Sequence, residues 1–319
     1  MNKAKSEAIV IGAGVSGLTT AICLAEAGVR VTIWTAEPTE VTTSMAAGAM
    51  WGPYHVEPFD LVAAWGATTL DTLRRLAVQP STGVRLVSGI EAARDEVDPP
   101  AWGDQLDGFS MCARAELPPG FATGWRYTAP LVDMPVYLTY LRRRLADSGS
   151  QIRMRRVAAL TEIVGEADVV VNCTGIGARG LVPDPGLFPV RGQLVVVQNP
   201  GITEFFSEDT GSSPDLLHYY PHGETVVLGG TAQPGLWNSE PDFEVAAAIV
   251  RRCAEVEPRL RNARVIAHRV GLRPTRDQVR VDSQDLKGTR IIHNYGHGGA
   301  GVTLSWGCAI NATTLALAA

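Results

Sequence analysis

The first 35 residues pass from an unbroken apolar run to a helical period and back. Ala8-Ile9-Val10-Ile11 has no polar position, the pattern of a parallel strand buried on both faces. From Val15 to Ala27 the apolar residues Leu18, Ile22 and Ala25 recur at helical spacing, and Gly28 supplies a stop. Val29 to Trp34 is a second strand, so a strand–turn–helix–strand unit begins almost at the first residue. Further on, Asp133 and Pro135 mark a helix start that Leu138, Leu141 and Leu145 continue on one face. Ala167 to Asn172 reads as another buried strand, Leu194–Val197 and Thr225–Leu228 as strands by β-branched content, Phe243–Val256 as a helix and Arg264–Ala267 as a strand. Thr39 to Tyr54 reads as a loop entering a short helix. Residues 96–130 hold many Pro, Gly and aromatic positions with few regular repeats. The polar segment from Phe206 to His218 is long enough for a functional loop. No internal repeat, low-complexity tract or flexible linker interrupts the chain. The alternation predicts an α/β fold: a Rossmann-like nucleotide-binding domain interrupted by a second, β-rich α+β domain.

Composition narrows the class. At roughly 100–200 residues per domain, 319 residues make two domains or one with a large insertion. A hydrophobic share of 45% and a charged share of 19% are ordinary globular values. The net charge of −5 offers no electrostatic footprint for nucleic acid or an anionic membrane. Only Lys3, Lys5 and Lys287 among the basic residues are lysines, an Arg-heavy usage that fits a high-GC bacterial genome. The cysteines Cys23, Cys112, Cys173, Cys253 and Cys308 form no C-x-x-C pair, which points to reduced thiols and a cytoplasmic setting. No secretory leader, no apolar run of about 18 residues and no peroxisomal terminus is read. Neither a metal-ligand cluster nor a G-x-S-x-G nucleophile motif is present.

Gly12-Ala13-Gly14-Val15-Ser16-Gly17 is a G-x-G-x-x-G placed directly after a strand and opening a helix, the context that makes it a dinucleotide fingerprint. Gly12 allows the tight turn, Gly14 the approach of a pyrophosphate, and Gly17 close helix–strand packing. The helix N-terminus adds N–H groups and partial positive charge. The acid expected at the end of the second strand is displaced: Trp34, Thr35 and Ala36 come first, and Glu37 is one or two positions late. Glu37 is either the ribose ligand or a solvated loop acid.

Several segments, in order, carry a more specific resemblance. They are Thr42-Thr43-Ser44 with Ala46-Ala47-Gly48, Trp51 with Pro53-Tyr54, Val171 to Gly175, Arg191-Gly192-Gln193, Pro221 followed by Leu228-Gly229-Gly230-Thr231, Gly271-Leu272-Arg273-Pro274, and His293 to Thr303. Together they resemble the D-amino acid oxidase and D-aspartate oxidase family of FAD enzymes over nearly the whole chain. The resemblance implies FAD rather than NAD, and two interleaved domains: FAD-binding at 1–72, 130–188 and 278–319, substrate-binding at 73–129 and 189–277. It implies that Thr42, Thr43, Ala46, Ala47 and Gly48 lie against the flavin and pyrophosphate, with Thr174 and Gly175 nearby, and that Val157 meets adenine through its backbone. Gly298, Gly299, Ala300, Gly301, Val302 and Thr303 then form a glycine-rich turn at the polar edge of the flavin ring, where N–H groups stabilise negative charge. Gly299 and Arg273 count among the catalytic residues. Arg273 grips the substrate carboxylate, a task suited to a guanidinium fork. The implied reaction is hydride transfer from Cα to flavin without a dedicated base. The imine then hydrolyses to a 2-oxo acid and ammonia, and dioxygen reoxidises the flavin to give hydrogen peroxide. The implied partners are an amino acid or amine and dioxygen, with neither nucleic acid nor membrane. A homodimer is compatible with the sequence, which does not set the oligomeric state.

The chain departs from the family pattern at three places. His218 stands where members carry a carboxylate-binding tyrosine, a lid tyrosine has no counterpart between Phe206 and Leu217, and Gly52 replaces a larger polar residue. Because strand side chains alternate, His218 and Tyr220 share a face that Tyr219 opposes. Either His218 replaces the tyrosine, favouring anionic substrates when protonated, or a slipped register makes Tyr219 the ligand. His55, His222 and His268 read as structural, and His293 and His297 as shaping the flavin loop. These departures keep a second substrate class open: glycine, an N-alkylglycine or a larger specialised amine. A flavin-binding protein without oxidase activity is the alternative from another class.

Overall fold

The computed structural model describes residues 6–52, 56–208 and 216–318. Pro53, Tyr54, His55 and most of the lid stretch lie outside the described residues. In chain order the elements are β1 (Glu7–Ile11), α1 (Val15–Glu26), β2 (Arg30–Thr35), α2 (Thr43–Ala46), α3 (Phe59–Ala77), β3 (Val84–Ala93), β4 (Asp107–Met111), β5 (Thr123–Val132), α4 (Met134–Asp147), β6 (Gln151–Met154) and β7 (Val169–Asn172). They continue with α5 (Ala178–Leu181), β8 (Phe188–Gln198), β9 (Phe205–Glu208), β10 (His218–His222), β11 (Thr225–Gly229), β12 (Gln233–Pro234), α6 (Phe243–Val256), β13 (Val265–Leu286), β14 (Thr289–His297) and α7 (Gly301–Leu317).

One sheet runs through the molecule in the order β4-β5-β3-β9-β10-β11-β8-β13-β14-β7-β1-β2-β6. At one end, β6-β2-β1-β7-β14 are all parallel, in the doubly wound order of a dinucleotide-binding domain. The alternation along β1 shows why its run is wholly apolar. Ala8 and Val10 join the core formed with α1, α4 and α7, while Ile9 and Ile11 pack with Trp34, Leu160, Ile163 and Leu181 on the other face. These five strands come from residues 1–72, 130–188 and 278–319. The other end is antiparallel except for the β3–β9 pair. Its Val195, Val197, Val226 and Leu228 face Ala246, Ile249 and Cys253 of α6, which leaves the opposite face turned toward α2.

β13 joins the two ends. Its residues from Val265 to Thr275 pair with β8, and those from Arg280 to Leu286 pair with β14, with the register broken between Thr275 and Arg280. Pro274 sits near that break, opposite Pro189. The strand is therefore much longer than Arg264–Ala267. Residues 96–130 also hold regular structure that their composition hides. β5 contains Pro130, just beyond Thr128 where β4 stops pairing; there the chain at Ala49–Trp51 takes over, Trp51 N–H donating to the Pro130 carbonyl and Val132 N–H to that of Ala49.

One segment does have the length and apolar composition of a membrane span, contrary to the expectation from the sequence. Gly298–Leu317 qualifies, yet 67% of its apolar window is buried inside the fold. Gly307 explains the packing: a Cβ there would collide with the Trp65 backbone of α3, so α7 is a core helix.

Candidate functional site

The glycine fingerprint forms a cradle that only this spacing permits. Gly12 has φ +107°, and a Cβ on it would stand 2.5 Å from the Cys173 carbonyl oxygen. A Cβ on Gly17 would collide with the Gly12 carbonyl, so α1 starts hard against the turn. Gly14 caps α1 without a side chain, and no acidic residue stands in the first turn. Val15 N–H donates to Ser44 Oγ at 3.0 Å. Ser44, on α2, thus reaches the N-terminal end of α1 with its hydroxyl, and it stands in the quoted Thr42-Thr43-Ser44 segment with no role assigned from sequence. Ala13 is buried and Ser16 half-buried. Glu37 is exposed beyond the end of β2, its carbonyl accepting from Thr35 Oγ1 at 2.7 Å. Trp34 is buried in its place, with the Arg155 guanidinium 3.7 Å above its ring and Val157 packed beside the same cluster.

The other fingerprint residues lie between the two ends of the sheet. The Thr42 and Thr43 hydroxyls donate to the carbonyls of Thr39 (2.7 Å) and Leu272 (3.1 Å). Thr43 and Ala46 seat α2 on Gly271, where a Cβ would be 3.2 Å from that of Ala46. Ala47 and Gly48 follow, half-buried. Thr174 turns back onto Asn172 Oδ1 through its N–H (3.2 Å) and hydroxyl (2.7 Å), and Gly175 faces Pro274.

Residues 298–303 are not the tight turn expected of so many glycines. Gly298–Ala300 make one 3₁₀ turn, and Gly301, Val302 and Thr303 begin the 17 residues of α7. No acidic residue occupies this first turn either, so a second helix N-terminus presents free N–H groups and positive potential. Thr303 Oγ1 donates to the Gly52 carbonyl at 3.0 Å. Behind the two helix starts, His297 Nε2 donates to Asn294 Oδ1 (3.0 Å), Asn294 Nδ2 to Thr20 Oγ1 (3.0 Å), and Thr20 Oγ1 to the Ser16 carbonyl (2.6 Å). Burial pushes His297 down to about 4, so it ties these segments together as a neutral ring.

The candidate substrate face is the side of the antiparallel sheet opposite α6. The pairings Gly271↔Gly192, Gly229↔Leu194 and His218↔Gly229 put Arg273, Gly192, Leu194, His218 and Tyr220 on one face by alternation. Two flat side chains lie on the sheet there because glycines make room for them. A Cβ on Gly192 would be 2.5 Å from Arg273 Nη1, and one on Gly229 would fall inside the His218 ring. Arg273 Nη1 donates to the Thr231 carbonyl at 2.9 Å, and Gln193 N–H donates to Thr231 Oγ1 at 3.0 Å. Gln193 is itself fixed by Arg191, a 4% exposed guanidinium whose other partners are the Gln233 side-chain oxygen and the carbonyls of Asn238 and Glu240. Tyr219 lies on the opposite face, stacked on Phe206 at 5.7 Å within the α6 core. Burial lowers the pKa of His218 to about 4, so the ring is neutral at pH 7. Thr231, Gly192 and Gly229 stand in segments that carry the resemblance but have no role assigned from sequence, because their roles depend on which strands are neighbours.

Fold and site together define a dinucleotide-binding protein whose antiparallel sheet carries Arg273 on the face turned toward α2. A family model described as FAD dependent oxidoreductase matches residues 7–315. The D-amino-acid oxidase of Streptomyces coelicolor is 50% identical over 315 residues, covering 97% of this chain and 96% of that protein. That of Rubrobacter xylanophilus is 48% identical over 316 residues, covering 98% and 97%. Human D-aspartate oxidase is 38% identical over 321 residues, covering 96% and 93%. Among solved structures, glycine oxidase from Geobacillus kaustophilus superposes with a TM-score of 0.80 at 18% identity, covering 98% of this chain and 95% of that one, a likeness of fold. The chain belongs to the FAD dependent oxidoreductase family, and its cofactor is FAD. The cradle fits that group: two acid-free helix N-termini and a glycine turn that a Cβ would fill. Among the described residues no group of His, Cys, Asp or Glu could hold a metal ion.

Proposed function

We propose that the chain oxidises D-amino acids: amino acid, water and dioxygen give a 2-oxo acid, ammonia and hydrogen peroxide. The observation that carries the reading is Arg273, laid flat over Gly192 on the face that α2 and Gly48 close. The two relatives named D-amino-acid oxidase at 48% and 50% identity support it. Arg273 binds the α-carboxylate, and the Thr231 carbonyl fixes the tilt of its guanidinium. FAD supplies the two-electron acceptor, which dioxygen regenerates. Gly12 to Gly17 and Ser44 would hold its pyrophosphate, and Gly298 to Thr303 its polar edge, with Thr42, Thr43, Ala46, Ala47, Gly48, Thr174 and Gly175 between them. Val157 and Trp34 would receive the adenosine end, with Glu37 exposed at the end of β2. The chain's own contribution is orientation: with the carboxylate anchored, the Cα–H is presented to the cofactor in one geometry.

Peroxide release from the purified enzyme tests this. D-alanine and other D-amino acids should produce peroxide, and their L-forms none above background. Release from L-forms alone, or only from glycine and N-alkylglycines, would overturn the reading.

A further inference from the structure

His218 lies beside the proposed carboxylate anchor, and its chemistry is set by its surroundings. The ring is stacked on Tyr220 with centroids 4.4 Å apart and planes at 21°, in the space over Gly229. His218 Nδ1 is 2.9 Å from the Leu216 carbonyl oxygen. A carbonyl oxygen only accepts, so Nδ1 carries a proton, and in the neutral ring Nε2 is left with a lone pair. Nε2 faces Gly48, 3.6 Å from where a Cβ there would stand. Two cations act on the ring, Arg273 from β13 and Arg252 from α6. Tyr220, on its own strand, is a neutral phenol whose hydroxyl is 3.4 Å from Ser207 Oγ. Burial and both cations oppose a second proton, and no described carboxylate acts on the ring to favour one.

We propose that His218 is a specificity-determining residue that acts as a hydrogen-bond acceptor, its Nε2 receiving an N–H or O–H of the substrate. The site then has one carboxylate seat, at Arg273, and selects D-amino acids with a neutral or N–H-bearing side chain over those with a second carboxylate. This rests on the reading of Arg273 as the α-carboxylate anchor. It reverses the expectation that a charged His218 draws in anionic substrates.

D-asparagine and D-aspartate are nearly isosteric and differ in the group that matters. Initial rates of the holoenzyme with each, from pH 5.5 to 8.5, leave the aspartate side chain ionised throughout, since its pKa is about 3.9. The expected result is a kcat/KM at least tenfold higher for D-asparagine, with a ratio that does not change with pH. His218→Tyr, which presents a hydroxyl donor, should narrow the ratio, and His218→Phe should lower kcat/KM for D-asparagine more than for D-alanine. A wild-type preference for D-aspartate, or a ratio that falls as pH drops through 6.5, would overturn the inference while leaving D-amino acid oxidation standing. If no D-amino acid reacts, the anchor reading fails first and this inference with it.

Discussion

Arg273 owes its position to what its neighbours lack. Gly192 has no Cβ to push the guanidinium off the sheet, and Gly229 does the same for His218. Arg273→Ala should raise the KM for a D-amino acid by roughly 30-fold or more, because a desolvated charge-assisted pair is worth about 2 kcal/mol or more. FAD content should stay unchanged, since no described contact of Arg273 belongs to the glycine cradle. Steady-state kinetics with flavin quantification checks both, and an unchanged KM would remove Arg273 from the site. Gly229→Ala adds one methyl where the His218 ring lies and should cost about 1–3 kcal/mol of stability, read by urea denaturation, with loss of the D-asparagine preference.

At the scale of elements, Arg273 depends on a loop held from beneath. Thr231 takes Arg273 on its carbonyl and Gln193 N–H on its hydroxyl oxygen, so Thr231→Val should raise KM several-fold with little change in kcat, and Thr231→Ser should restore it. Equal losses in kcat and KM, or no rescue by serine, would mean that the loop supports the fold and not the arginine. The same scale explains what was legible in the chain. The β1–α1–β2 unit was plain because a doubly buried strand, a glycine turn and a helical period each leave a local pattern. The Gly271–Pro274 motif was visible, but the 22-residue strand containing it was not, since Pro274 reads as a strand breaker until Pro189 is found opposite. Gly298 to Thr303 read as a turn because glycine disfavours helices, whereas here the glycines open α7, whose stability comes from burial. α3 was passed over although Trp65, Leu70, Leu73 and Leu76 keep a helical period. The face occupied by His218 followed from alternation alone, but its charge did not: neutrality comes from burial and from Arg252 and Arg273, which are distant in sequence.

Across the whole molecule, among the described residues, His222, His293 and His297 are buried and His218 is half-buried, and all four are held as neutral rings. His218, His222, His293 and His297 are each pushed from 6.5 down to about 4, in every case chiefly by burial. A depressed pKa means that the unfolded chain binds protons that the folded chain refuses, so the stability present above pH 6.5 is lost as pH falls toward 4. The melting temperature of the holoenzyme should be level between pH 7 and 8 and drop steeply from pH 6.5 to 4.5. A level profile down to pH 4.5 would mean that these rings take up protons within the fold. The central claim, a flavin site that accepts electrons from D-amino acids anchored at Arg273, is tested most directly by the visible spectrum of the yellow enzyme under anaerobic mixing. D-alanine should bleach the flavin band within one turnover, L-alanine should leave it intact, and Arg273→Ala should need far more D-alanine for the same rate. A flavin that no D-amino acid bleaches, or one that the Arg273→Ala variant reduces as readily as the wild type, would contradict the account.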